Sequence, residues 1–416
     1  MRPARGSLRH AAAALSRLLE LSRPADETLS RYFRDHPELG QQERGFVADA
    51  AFAVLRRRRS LAAAAGSSTP QILVAAAAIK VLGLSARSLE GLVEPGLAEQ
   101  VRAFSFTGMP PAVRADLPDW LWDMLLADYG EPEAERMAPA MLNPAPLDLR
   151  VNLARTSREE AQARLAAEGI EAQPTPYSPA GLRVTGKPAI NRHALYRDGL
   201  VEVQDEGSQL LAWLVGPRRG EMVGDYCAGA GGKTLAAAML MRGTGRVYAM
   251  DVSARRLAAL RPRAARAGVT NVHVIALSGD NDARAKRLAG KLDRVLVDAP
   301  CSGFGTLRRN PDLKWRHTPQ AIAELAQKQR AILRTASRLV KPGGRLVYAT
   351  CSILKAENEA VADDFAHSSP EFESVSCDAL LAEQRIPLQA GRRMRLWPHA
   401  HGTDGFFAAA FVRRPP

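Results

Sequence analysis

Between Ala4 and about Leu126, apolar residues return at steps of three and four: Leu15, Leu18 and Leu19, then Phe46, Ala50 and Val54, with alanine filling much of the space between. That spacing puts them on one face of a helix, and few runs alternate as a half-buried strand would, so an all-helical region is expected. The run Arg56-Arg57-Arg58-Arg59 is expected to end one of its helices, where cations suit the negative end of the helix dipole.

The pattern then changes twice. Prolines cluster from Pro139 to Pro146, which marks a linker or domain entry. Beyond them a strand is expected at Leu147 to Val151 and a helix at Ser157 to Glu168. A turn-rich return through Pro174, Pro176 and Pro179 leads to Leu182-Arg183-Val184, completing a small α/β piece. After Leu200, apolar runs at Met222 to Tyr226, Arg246 to Met250, Val272 to Leu277, Arg294 to Val297 and Leu346 to Ala349 alternate with helical stretches, among them Thr234 to Met241 and Ile322 to Val340. Strand and helix in alternation imply an α/β fold with a parallel, doubly wound sheet. Phe406 to Val412, after Asp404-Gly405, reads as a final hairpin strand.

The chain has 416 residues, enough for two to four domains, and no apolar run reaches the roughly 18 to 20 residues of a membrane span; Ile72 to Leu84 comes nearest and carries Lys80. The start, with Arg2, Arg5, Arg9 and His10, lacks the apolar segment of a secretory signal, so a cytoplasmic protein without membrane attachment is expected. A net charge of +13, carried mostly by arginine, suits a polyanionic partner, although codon bias would raise arginine equally. The arginine run at 56–59 is open to two readings, a solvated helix end or an RNA-facing patch, and Arg308-Arg309 with Lys314-Trp315-Arg316 could likewise hold RNA. Trp315 reads slightly better as a core or lid residue.

Four cysteines, Cys227, Cys301, Cys351 and Cys377, lie far apart without zinc spacing, and His399 and His401 form a lone pair with no third ligand, so no metal is expected. Two of the cysteines share a setting. Leu292 to Ser302 and Leu346 to Ser352 are apolar runs that stop at a small or polar corner and then present Cys301 and Cys351, as buried parallel strands deliver reactive groups to a sheet edge.

The first βα turn reads D-Y-C-A-G-A-G-G-K-T, Asp225 to Thr234. A P-loop would need glycine at Cys227 and a dinucleotide fingerprint would need glycine at Thr234, so both fail at one position. Asp251, ending the second strand, is placed either for ribose hydroxyls or for a helix N-cap; Asp280, in S-G-D after the third, either faces a base edge or is a plain loop carboxylate.

Taken together, Cys227-Ala228-Gly229-Ala230-Gly231-Gly232-Lys233, Asp251, Asp280, Asp298-Ala-Pro-Cys301-Ser-Gly and Tyr348-Ala-Thr-Cys351-Ser resemble the Sun family of S-adenosylmethionine-dependent RNA cytosine-5 methyltransferases. K-P-G-G-R-L-V-Y at Lys341 to Tyr348 and W-P-H with D-G-F-F at Trp397 to Phe407 support it, from about Val201 to Val412. The amino-terminal helices, especially Leu39 to Leu61, resemble the antitermination-factor-like domain of the family's small-subunit ribosomal RNA enzyme. The resemblance implies a Rossmann-like methyltransferase sheet at 201–416, an all-helical RNA-binding domain at 1–138 and a small α/β RNA-binding subdomain at 139–200. It implies S-adenosylmethionine as cofactor, held by Cys227 to Lys233, Asp251, Asp280 and Asp298. Cys351 would be the nucleophile, Cys301 the residue that releases the product, and Asp298 the partner of the cytosine ring.

Lys233 either lines the site or caps its helix, Cys227 packs within the loop, and Cys377 is expected in the core. Ala230 stands where the family has proline, which should loosen the loop. The expected substrate is 16S ribosomal RNA and the expected state a monomer. Transfer RNA is the nearer alternative and a non-catalytic assembly factor the more distant one; a DNA methyltransferase, which uses the P-C cysteine as nucleophile, is disfavoured by the T-C-S cysteine.

Overall fold

The computed structural model describes residues 5–85, 88–89, 94–279 and 282–415. They fall into two units, one formed by Met1–Pro144 with Thr306–Pro319, the other by Ala145–Gly305 with Gln320–Pro416. No single helix among the described residues is long and apolar enough to cross a membrane.

In the first unit the helices Arg5–Leu19, Ala25–Asp35, Gln41–Ala65 and Pro70–Lys80 bury Leu15, Leu29, Val47, Val54 and Leu73 in one core. Buried alanines, among them Ala50, Ala51 and Ala75 to Ala78, let the helices approach closely.

The arginine run meets the sequence reading in part: helical geometry breaks at Arg57, inside the run, and resumes beyond it. It lies within Gln41–Ala65, which bends at Arg57 (φ −125°, ψ 33°) and continues. The bend takes the carbonyls of Leu55 and Arg56 out of the helical ladder, and side chains replace the lost donors: Trp315 Nε1 donates to Leu55 O and Lys314 Nζ to Arg56 O, each at 2.7 Å. On the other side of the bend, buried Asp116 accepts from Ser60 N (2.9 Å) and Ser60 Oγ (2.6 Å). Arg56 donates to Arg308 O and Arg59 to Leu117 O, so these two arginines tie the unit together. Lys314 is buried as well, and burial lowers its pKa to about 7, so it does not face RNA. Pro139 also departs from expectation, lying inside the helix Glu131–Met141. The helix ends two residues later, which confines the cost to one missing N–H bond.

In the second unit, β1 (Leu147–Val151), β2 (Ala172–Pro174), β3 (Gly181–Val184) and β4 (Val201–Val203) form an antiparallel sheet in the order β2-β3-β1-β4. The helix Arg158–Ala167, capped by Ser157 Oγ on Glu160 N at 3.0 Å, buries Leu165 with Leu149 and Leu182. The larger sheet takes β5 (Met222–Asp225), β6 (Arg246–Asp251), β7 (Val272–Ala276), β8 (Leu292–Asp298), β9 (Val340–Thr350), β10 (Phe372–Val375), β11 (Met394–Leu396) and β12 (Phe406–Arg413). Its order is β10-β12-β9-β8-β5-β6-β7, with β11 on β12. The first five strands pair in parallel, while β12 runs antiparallel to β9, β10 and β11. This is the expected Rossmann-like methyltransferase sheet. Val340, read as helical, opens β9 instead: the helix Pro319–Ser337 stops short of it, and Val340 is buried opposite Leu292. Strand order reverses direction at β5, between β6 and β8, which opens a crevice outside the carboxyl ends of the strands.

Candidate active site

The glycine-rich turn lies at that crevice. After β5 the chain passes through Gly229 (φ 55°) and Gly231 (φ 83°) into the helix Gly232–Leu240. Gly231 is required twice over, because its conformation is left-handed and an added Cβ would lie 2.2 Å from Leu260 Cδ1. Asp251, at the end of β6, accepts from Gly229 N (2.9 Å) and Ser253 N (2.7 Å) and so joins the first two loops. The N-cap role falls to Ser253, whose Oγ accepts from Arg256 N. Ala230 does not leave its loop slack, since Arg263 Nη1 donates to Ala230 O at 2.6 Å.

A cleft of about 480 Å³ opens over these residues, within the range of small-molecule sites. Cys227, Ala228, Gly229, Ala230, Asp251, Asp298, Cys301 and Cys351 all line it. Gly231 and Gly232 begin the adjoining helix, and Lys233 follows them. Asp280 lies outside the described residues. Val252, also on the cleft wall, is 64% exposed, an apolar side chain available for cover by a ligand. Lys328 and Ile332, from the helix Pro319–Ser337, close the far side; they sit in a helix of ordinary amphipathic spacing, which carries no sign of a site.

Lys233 does more than start a helix. Its Nζ donates to Asp298 Oδ2 at 2.7 Å and lies 5.8 Å from the Phe406 ring centroid. Burial disfavours its charge, but Asp298 outweighs burial and its pKa is raised, which keeps it cationic. Cys301 and Cys351 stand with their sulfurs 3.4 Å apart. Hydrogen bonding with Cys351, then burial, raises the Cys301 thiol well above its ordinary value, so Cys301 holds its proton.

The other cysteines behave differently. Burial raises Cys227, which packs against the sheet core, and raises Cys377 to about 11 in a fully buried position. Asp225, just before the loop, is buried and accepts from Thr234 Oγ1 at 2.7 Å, while its Oδ1 has no partner; burial raises its pKa to about 6. His401 accepts from Trp397 N and closes a turn. Among the described residues the one cluster of three metal-type ligands is His10, His36 and Glu38 in the helical unit, where His10 Nδ1 is bonded to Tyr32 OH and His36 Nδ1 to Glu38.

Residues 212–412 match the family described as 16S rRNA methyltransferase RsmB/F, and residues 117–191 match the RsmF/B-like methyltransferase ferredoxin-like domain. The probable ribosomal RNA small subunit methyltransferase B of Bacillus subtilis (strain 168) is 36% identical over 310 residues, covering 73% of this chain and 68% of that protein. The crystal structure of PH0851 superposes over 98% of both chains with a TM-score of 0.80 and 26% identity. A methyltransferase homolog protein from Pyrococcus horikoshii covers 73% of this chain and 97% of its own, with a TM-score of 0.62 and 30% identity.

Proposed function

This chain belongs to the 16S rRNA methyltransferase RsmB/F family, and from that premise we propose that it methylates carbon 5 of a cytosine in small-subunit ribosomal RNA, using S-adenosylmethionine, as a cytoplasmic monomer. The observation that carries this reading is the pair of sulfurs 3.4 Å apart on a cleft shared with the glycine loop.

The residues present fit the cofactor. The left-handed turns at Gly229 and Gly231 allow close approach to the backbone, Asp251 retains acceptor capacity beyond its two amide bonds, and exposed Val252 offers an apolar face. The residues from Cys227 to Lys233, with Asp251, Asp280 and Asp298, would hold it. When bound, it supplies the methyl group that carbon 5 takes up.

Carbon 5 of cytosine is a weak nucleophile, so the protein must activate it. Cys351 attacks carbon 6 as the thiolate; the new S–C bond pushes the double-bond electrons toward carbon 5. As the adduct forms, nitrogen 3 of the ring takes up a proton and donates it in a hydrogen bond to Asp298, itself held by Lys233, which stabilises the adduct. Cys301, neutral at rest, does not oppose the Cys351 thiolate with a second negative charge. After methylation Cys301, its own thiol proton having passed to water, takes up the carbon 5 proton, the ring double bond re-forms and the S–C bond breaks to release Cys351 as the thiolate.

A base must leave its stack to reach this cleft, so unpaired or flipped-out RNA is the form bound. The charge of +13 supports a polyanionic partner. The helices of 1–138 and the α/β piece of 139–200 are the RNA-binding parts of this proposal, and 201–416 its catalytic part.

Mapping 5-methylcytosine in total RNA with and without the gene tests the reading. Loss of a small-subunit ribosomal mark is expected; loss of a transfer RNA mark alone would move the substrate, and loss of none would favour an RNA-binding assembly factor. Purified Cys351→Ala should neither methylate nor form an RNA adduct, whereas Cys301→Ala should accumulate a covalent protein–RNA band on a denaturing gel. The reverse pattern sinks the assignment of roles.

A further inference from the structure

The ladder between β8 and β9 ends at Asp298 opposite Ala349, with one more bond from Ala299 N to Ala349 O. Cys301 and Cys351 lie beyond it, on corners whose spacing the sheet no longer sets. Gly305 N donates to Cys351 O at 2.8 Å, the Ser302 and Ser352 hydroxyl oxygens lie 3.2 Å apart, and four further ties converge on one carboxylate.

Glu357 has no exposed surface. Its Oε1 accepts from Ser302 N (2.8 Å) and Gln329 Nε2 (3.0 Å), and its Oε2 from Ser302 Oγ and Ser352 Oγ, both at 2.5 Å. Four donors match the roughly four lone-pair sites of an ionised carboxylate. Ser302 and Ser352 are the residues that directly follow the two cysteines, and Gln329 also holds Pro300 O, the residue before Cys301. The next residue completes the grip, because Asn358 Nδ2 donates to Ser352 O at 3.0 Å and Asn358 Oδ1 accepts from Thr350 Oγ1.

We propose that Glu357 is a positioning residue that clamps the Cys301 and Cys351 corners together and so sets the separation of the two sulfurs. The inference rests on the two-cysteine chemistry proposed above, in which adduct formation needs Cys351 and release needs Cys301 beside it. Charge-assisted bonds from both corners to one rigid acceptor hold that spacing more tightly than separate neutral bonds would. Loosening the clamp should leave attack by Cys351 largely intact and slow the release step.

The direct test needs neither RNA nor cofactor. Diamide converts two neighbouring thiols to a disulfide, and their two protons and two electrons pass to its N=N bond to give the hydrazine. The closure rate therefore reports how often Cys301 and Cys351 meet. Glu357→Gln keeps the shape but replaces one acceptor with a donor; disulfide closure, followed by mass after alkylation, should slow about tenfold while the melting midpoint stays within a few degrees. Should that variant not fold, Ser302→Ala and Ser352→Ala each remove one tie and should slow closure about threefold. Closure at the wild-type rate or faster overturns the clamp.

In single turnover with RNA, the clamp variants should form the covalent complex at close to the wild-type rate and release it about tenfold more slowly. Equal slowing of both steps counts against a positioning role. If Cys301→Ala traps no adduct, the two-cysteine reading fails, and the diamide rate still judges the clamp.

Discussion

Asp225 should make the unit that holds the large sheet less stable as pH rises, and Asp225→Asn should remove that dependence. The carboxyl is 3% exposed, one oxygen bonded to Thr234 and the other unpartnered. Burial raises its pKa from 3.8 to about 6, so the folded state prefers the protonated form. Below the unfolded value both states carry the proton and the stabilising contribution is fully present. Between the two values the unfolded chain releases its proton while the folded one keeps it, and stability falls by about 1.4 kcal/mol per pH unit. Above the folded value the loss levels off at about 3 kcal/mol, of which about 2 kcal/mol falls between pH 4.5 and 7.5.

Asparagine keeps the size and the acceptor for Thr234 but cannot ionise. Its unpartnered NH2 costs the same at every pH, so the informative quantity is the slope. Differential scanning fluorimetry of wild type and Asp225→Asn across that range should show their midpoints diverging by about 4 to 8 °C as pH rises, in favour of the variant. A separation independent of pH would refute the assignment of burial as the dominant cause.

Gly231→Ala should cost about 2 to 4 kcal/mol, from the left-handed backbone and the collision with Leu260, and should abolish cofactor binding measured by calorimetry. Lys233→Met removes the cation from Asp298 and should lower the methylation rate about 10- to 100-fold with little change in melting temperature. Trp315→Phe leaves Leu55 O unpaired at the helix bend and should cost the helical unit about 1 to 3 kcal/mol, seen as faster hydrogen exchange around residues 55–60.

The parallel strands β5, β6, β8 and β9 were legible because a strand largely buried on both faces is a near-continuous apolar run, a signal carried by adjacent residues. The glycine-rich turn after β5 and both cysteine corners were legible for the same reason: each is a contiguous motif at a strand end. Short strands such as β2, β10 and β11 went unread, since three or four residues hold too little periodicity to separate them from loop.

What the order of residues determined by itself is therefore local: which stretches bury an apolar face, where they stop, and which reactive groups those stops present. What only the tertiary structure decided is which distant groups meet. Four consecutive arginines read as a helix end and the helix does break there, but Trp315 and Lys314, remote in sequence, supply the donors that let it resume in a new direction. Glu357 stands in the charged stretch K-A-E-N-E, which carries no sign of burial, yet the fold brings four donors to it and removes it from water. The physical reason is the same in both places. A backbone carbonyl or a carboxylate is tolerated inside a protein only where hydrogen-bond partners are supplied, and only the folded chain determines which partners arrive.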